Sequence, residues 1–115
     1  MRDETSQALR ARLNDTQPFV LLDVREPFER ELAKIPTSSP CVDVFIPMRE
    51  LSARIGTLRA KTAAANVPII VYCHHGVRSL MVAEWLGIQG FENVRNLAGG
   101  IDDYSLHADP SVPRY

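Results

Sequence analysis

Two short apolar runs limit what this chain can fold into more than any other feature. Phe19 to Asp23 (FVLLD) and Val67 to Tyr72 (VPIIVY) are unbroken and too short for helices; the first ends in a charge and the second runs into a polar loop. A strand with one wet face alternates apolar with polar residues, whereas an unbroken run suits a strand covered on both faces. Each run predicts a central strand with helices above and below it.

The segments between them carry helical patterns. Ser6 to Leu13 places Ala8, Leu9 and Leu13 on one side, and Pro27 is suited to the first turn of a short helix, PFERELA, with its acidic residues early. Ile35 to Pro40 (IPTSSP) is a loop and Val42 to Ile46 a further strand. Pro47 then opens a helix whose apolar face is Met48, Leu51, Ile55 and Leu58. Leu80 to Leu86 with Ile88 predicts a helix that packs Trp85 into the core. Val94 to Leu97 predicts a last strand, Gly99 and Gly100 a turn, and Ile101 to Leu106 a short helix. The tail ADPSVPRY is expected to be irregular, packed down by its prolines and Tyr115. No first strand is evident before Ser6.

Strands alternating with helices predict an α/β fold with a small, mostly parallel sheet and helices on both faces. At 115 residues the expectation is one domain spanning residues 1–115. Thirteen basic against fourteen acidic side chains leave a net charge of -1, which gives no basis for binding nucleic acid or an anionic membrane. No apolar segment approaches the roughly 20 residues a membrane helix needs. Two distant cysteines, Cys41 and Cys73, do not form a disulfide framework, so the expected compartment is the cytoplasm.

In open parallel sheets ligands bind beyond the carboxyl ends of the strands, and Cys73 stands one residue past VPIIVY. It is followed by His74, His75, Gly76, Val77, Arg78 and Ser79. A strand turning into a helix presents free N–H groups that make a concave anion site. Together with the positive charge of Arg78 they are expected to favour the Cys73 thiolate. Gly76 allows dihedrals closed to other residues, and Ser79 is expected to cap the following helix. His74 and His75 add donors or charge. Neighbouring histidines without further ligands at suitable spacing do not predict a metal site. Cys41 reads as structural, and His107 as a surface residue without a partner.

These residues resemble the rhodanese domain, a thiosulfate and persulfide sulfurtransferase module. LLDVREPFE at Leu21 to Glu29 is similar to its early signature, PIIVYCHHGVRS at Pro68 to Ser79 to its active-site loop, and GFENVRNLAGGIDDYS at Gly90 to Ser105 to its closing strand and glycine pair. The sequence departs from the family pattern at Lys34 and Thr37, where members commonly carry histidine and glycine around the isoleucine–proline pair.

The resemblance implies a central parallel sheet and a persulfide carried on Cys73, with His74 to Arg78 cradling the sulfur and Asp23 and Arg25 bracing the loop. It implies no cofactor. Its partners would be a small-molecule donor, thiosulfate or a persulfide, an acceptor thiol or cyanide, and a sulfur-relay protein. Two other classes of function compete: a non-catalytic interaction module of the same fold, and a cysteine phosphatase or arsenate reductase. Four residues separate Cys73 from Arg78, one fewer than the resembling phosphatases use, which suits a single sulfur atom better than a phosphate.

Overall fold

A computed structural model describes residues 2–62 and 67–115. In chain order its elements are β1 (Arg2–Glu4), α1 (Ser6–Leu13), β2 (Phe19–Asp23), α2 (Pro27–Leu32), β3 (Cys41–Phe45), a 3-10 turn (Met48–Glu50), α3 (Leu51–Lys61), β4 (Ile69–Tyr72), α4 (Val77–Ile88), β5 (Val94–Leu97) and α5 (Gly100–His107). The five strands form one sheet in the order β1-β5-β4-β2-β3, and every pairing is parallel.

The two apolar runs occupy the interior of that sheet. All of β2 and all of β4 is buried, because helices cover both faces. Residues two apart in a strand share a face, and the core divides accordingly. Val20, Leu22, Ile69 and Val71 pack with Leu51, Leu58, Val82 and Leu86 of α3 and α4. Phe19, Leu21, Ile70 and Tyr72 pack with Leu9, Ile101, Tyr104 and Val112 on the other side. Trp85 is partly buried against the first cluster, as its helical position predicts.

Three departures from expectation have local causes. A first strand does exist: Arg2, Asp3 and Glu4 pair with Arg95, Asn96 and Leu97 of β5. It carries no apolar signal, because its Glu4 is buried by a two-point bond from Arg12 at 2.7 and 3.2 Å rather than by hydrophobic packing. The helix expected from Pro47 is broken into the 3-10 turn and α3. The Met48 N–H is held by the Val24 carbonyl at 3.0 Å, which draws this turn toward β2 and leaves the Met48 side chain at the surface. Helix α4 starts at Val77, three residues before Leu80, so Val77 and Arg78 belong to its first turn and not to the loop. At its other end Ile88 is exposed.

The topology selects the functional end of the sheet. After β2 the chain moves outward to β3, and after β4 it moves the opposite way to β5, so the carboxyl ends of β2 and β4 diverge at a switch point. Asp23 and Tyr72 are register partners at that edge, and Val24 donates to the Tyr72 carbonyl at 3.2 Å. The next residue after Tyr72 is Cys73.

Candidate active site

Cys73 continues the alternation of β4 onto the α3/α4 side of the sheet and is 1% exposed. The chain then turns sharply. Gly76 takes φ +96° and becomes the N-cap of α4, a conformation open to glycine and strained for other residues. That turn aims the free donors of the helix start back at the cysteine: the N–H groups of Gly76 and Ser79 lie 3.2 and 3.4 Å from Sγ. A helix N-terminus adds its partial positive charge to these donors, so the sulfur sits in a turn of the kind that binds anions.

Ser79 does something other than cap the helix. It is the third residue of α4, fully buried, with its Oγ 3.3 Å from the Cys73 Sγ. The hydroxyl donates to Asn96 Oδ1 at 2.5 Å, and Asn96 in turn donates to the Gly76 carbonyl at 3.3 Å. The hydroxyl is thus drawn inward, away from the helix start, by a buried amide on β5. Asn96 was not singled out by the sequence reading. The alternation of β5 would have placed it on the same face as Val94, where a buried amide needs polar partners.

Arg78 does not contact the sulfur by hydrogen bond. Both its terminal nitrogens are taken by Glu29 of α2, at 2.6 and 2.9 Å, and this pairing raises its pKa. Its charge still acts on the cysteine through space, but Glu29 offsets part of it. Glu29 is buried, and its bond from Arg78 above all holds its carboxyl down at about 2, well below its ordinary 4.5. The same carboxylate accepts the Tyr115 hydroxyl at 2.8 Å and the Glu26 N–H at 3.1 Å. Glu29 closes the LLDVREPFE segment, yet only the fold brings it to Arg78.

Asp23 and Arg25 form a fully buried ion pair at 2.8 and 2.9 Å. The remaining Arg25 donors go to the carbonyls of Glu29 and Ala33 and to the Tyr115 hydroxyl. The pair therefore secures α2 and the C-terminal tail, and it reaches the sulfur loop through Glu29 and through Tyr115. A buried pair with every donor satisfied is costly to break, about 3–5 kcal/mol when one partner is removed.

His74 is half-buried between two rings, stacked on His75 and on Tyr115 with centroids 3.9 Å away on either side. Loss of hydration and the neighbouring His75 lower its pKa, which favours the neutral ring. His75 is exposed, 3.9 Å from Asp102. Val77 is exposed on the first turn of α4. His107 is also at the surface, but it does have a neighbour, Asp103, at 3.6 Å.

The loop backbone is held by α5. Ile101 and Asp102 donate to the carbonyls of Cys73 and His74 at 2.9 and 3.1 Å. This approach requires Gly100, where a Cβ would lie 2.4 Å from the His74 oxygen. Among the described residues no three His, Cys, Asp or Glu side chains group as a metal site. Both cysteines are free thiols; Cys41, on β3, has its thiol pushed up to about 11 by burial and by Asp43.

Comparison with known proteins identifies the family of the chain. Residues 5–107 match the family described as "Rhodanese-like domain". A "Sulfurtransferase" of Allochromatium vinosum is 31% identical over 107 residues, covering 93% of this chain and 91% of that protein. "Rhodanese-like/PpiC domain-containing protein 12, chloroplastic" of Arabidopsis thaliana is 42% identical over 95 residues, 83% of this chain. "Adenylyltransferase and sulfurtransferase MOCS3-2" of Zea mays is 30% identical over 104 residues, 89% of this chain. The chain spans only 30% and 20% of the length of these last two relatives. Among solved structures, a "Rhodanese-like Domain Protein from Staphylococcus aureus" superposes with a TM-score of 0.78 at 24% identity, covering 100% of this chain and 99% of the other, a likeness of fold.

Proposed function

The chain belongs to the rhodanese-like domain family, and from that premise we propose that it is a sulfurtransferase carrying sulfane sulfur as a persulfide on Cys73. The observation that carries this reading is the pair of N–H groups, from Gly76 and Ser79, converging on the Cys73 sulfur.

The Cys73 thiolate attacks the outer sulfur of thiosulfate, a new S–S bond forms, and the old one breaks with its electron pair leaving on sulfite. The terminal persulfide sulfur is then attacked by cyanide or a thiolate, and the bonding pair returns to Sγ, regenerating the thiolate. Cys73 is negative both before and after each full cycle. Donors already fixed in place stabilise charge on the transferred sulfur without reorganising.

A phosphatase or arsenate reductase would need its loop arginine to clasp a tetrahedral oxyanion. Here Glu29 occupies both terminal nitrogens of Arg78, which supports sulfur transfer over that chemistry. The intact Cys73 in its cradle likewise supports a catalytic domain over an interaction module. The same proposal includes exchange with a sulfur-relay protein, supported by relatives that carry sulfurtransferase in their names, and a cytoplasmic location, consistent with two free thiols.

The test is intact-mass analysis after exposure to thiosulfate, paired with cyanide-dependent thiocyanate formation, for wild type and Cys73→Ala. Gain of one sulfur atom and turnover, both lost in the variant, are expected. Folded wild-type protein with reduced Cys73 that gains no sulfur from thiosulfate or from a persulfide donor would overturn the reading.

A further inference from the structure

The C-terminal tail touches the sulfur loop directly at His74 and reaches its surroundings through Asp102 of α5 and Glu29 of α2. Val112 is buried in the α1/α5-side core and its carbonyl accepts from Ser105 Oγ at 2.5 Å, so the tail is anchored before it reaches the site. Arg114 donates to Asp102 Oδ1 at 2.9 Å, and the other Asp102 oxygen faces His75. Tyr115 makes the other contacts, one with its ring and two with its hydroxyl. Its ring lies almost parallel to that of His74, at 13° and 3.9 Å between centroids, with His75 on the far side of His74. Its hydroxyl accepts from Arg25 at 2.8 Å and donates to Glu29 at 2.8 Å, on the carboxylate that clasps Arg78.

We propose that Tyr115 is a positioning residue for the sulfur loop, fixing His74 through its ring and Arg78, by way of Glu29, through its hydroxyl. The proposal rests on the sulfur-transfer reading for its consequence in turnover. The two functions are separable, because the ring acts on His74 in the loop and the hydroxyl acts, by way of Glu29, on Arg78 in the first turn of α4. Burial of the hydroxyl, with its bonds to Arg25 and Glu29, leaves the phenol pKa at about 12, so it keeps its proton and remains a donor to Glu29 across the working pH range. Without it, Glu29 loses one of the two donors on its second oxygen, and Arg78 is held by a carboxylate fixed from elsewhere only by the Glu26 N–H. Arg78 is the cation nearest in sequence to the sulfur cradle, so its displacement weakens attraction for an anionic donor.

Tyr115→Phe and Tyr115→Ala separate the parts. The readouts are kcat and KM for thiosulfate, thermal melting, and the NMR signals of the His74 ring, which sense the rings stacked on it. The alanine variant is expected to raise KM for thiosulfate several-fold, less than the roughly 100-fold that a 1 Å misplacement can cost, and to shift the His74 signals, while Val112 keeps the tail anchored and the Arg25 donor left unpaired lowers the melting temperature without unfolding the protein. The phenylalanine variant is expected to raise KM less and to leave the His74 signals near their wild-type positions, since the stack survives. Wild-type KM in both variants, or His74 signals unmoved by the alanine change, overturns the proposal. The NMR readout needs no turnover, so it judges Tyr115 even if wild type accepts no sulfur, a result that would instead sink the sulfur-transfer reading.

Discussion

Glu29 takes both terminal nitrogens of Arg78 across 49 residues of sequence, at 2.6 and 2.9 Å. One buried carboxylate on α2 thereby sets where the first-turn cation of α4 can stand, and it ties the helix that follows β2 to the helix that follows β4.

Replacement of that carboxylate tests the tie. Glu29→Gln keeps the shape but leaves the Arg78 and Arg25 neighbourhood with one negative charge fewer. A loss of about 2 kcal/mol is expected, below the range for a fully buried pair because Arg78 is one-third exposed. The same change should raise KM for thiosulfate, and urea denaturation with steady-state kinetics measures both.

The Glu29 interaction also has a pH signature. Its folded pKa, about 2, lies below the ordinary 4.5, so its contribution is fully present above about pH 4.5 and is lost as pH falls toward 2. The stability gap between wild type and Glu29→Gln should be constant from pH 7 to 5 and shrink below pH 4.5. Urea titrations at pH 7, 5, 4 and 3 provide the comparison; a gap that widens on acidification contradicts the assignment.

Glycine substitutions of identical chemistry should differ in sign. Gly100→Ala puts a Cβ 2.4 Å from the His74 oxygen and 2.6 Å from the Cys73 oxygen at φ +64°, against backbone that cannot yield. A loss on the order of 3 kcal/mol or more, with impaired sulfur loading, is expected. Gly87→Ala, inside α4 with nothing within 4 Å of the new atom, should stabilise by about 0.5–1 kcal/mol. Denaturation midpoints of the two variants decide the matter.

Asn96→Ala removes the acceptor of the Ser79 hydroxyl and a donor to the Gly76 carbonyl, both buried. A cost of about 1–3 kcal/mol is expected from the groups left unpaired. Because those groups adjoin the Cys73 sulfur, slower persulfide formation should accompany the lost stability, measured by rapid quenching and intact mass.

Cys41 should stay out of the chemistry. Burial, then Asp43, pushes its thiol up to about 11, so little thiolate exists at pH 8. Peptide mapping after brief alkylation at pH 8 should find Cys41 unmodified, and Cys41→Ala should leave sulfur stoichiometry and turnover unchanged.

The architecture was legible in the sequence where signals are local. FVLLD and VPIIVY identified interior strands because an unbroken apolar run can be hidden only between two layers, and β2 has the residue bounds expected for it. Pro27 marks a helix start because its ring fixes the backbone at its own position, whereas the start of α4 after Gly76 lies three residues before the one expected from the apolar pattern. Cys73 at the end of β4 followed from the same logic. The strand Arg2–Glu4 was illegible, since its stability comes from the exposed edge of β5 and the Arg12–Glu4 bond.

The partners of the site were decided by tertiary structure alone. Ser79 read locally is a helix cap, but Asn96, 17 residues on, draws its hydroxyl inward beside the sulfur. Arg78 read locally is a free cation facing the cysteine, but Glu29 reaches it from α2 and is itself held by Tyr115 of the tail. Local backbone preference determines where elements begin and which faces they bury. Which charged and polar side chains meet depends on strand order and register, and those are set only when the helices pack and the buried groups must each find a partner.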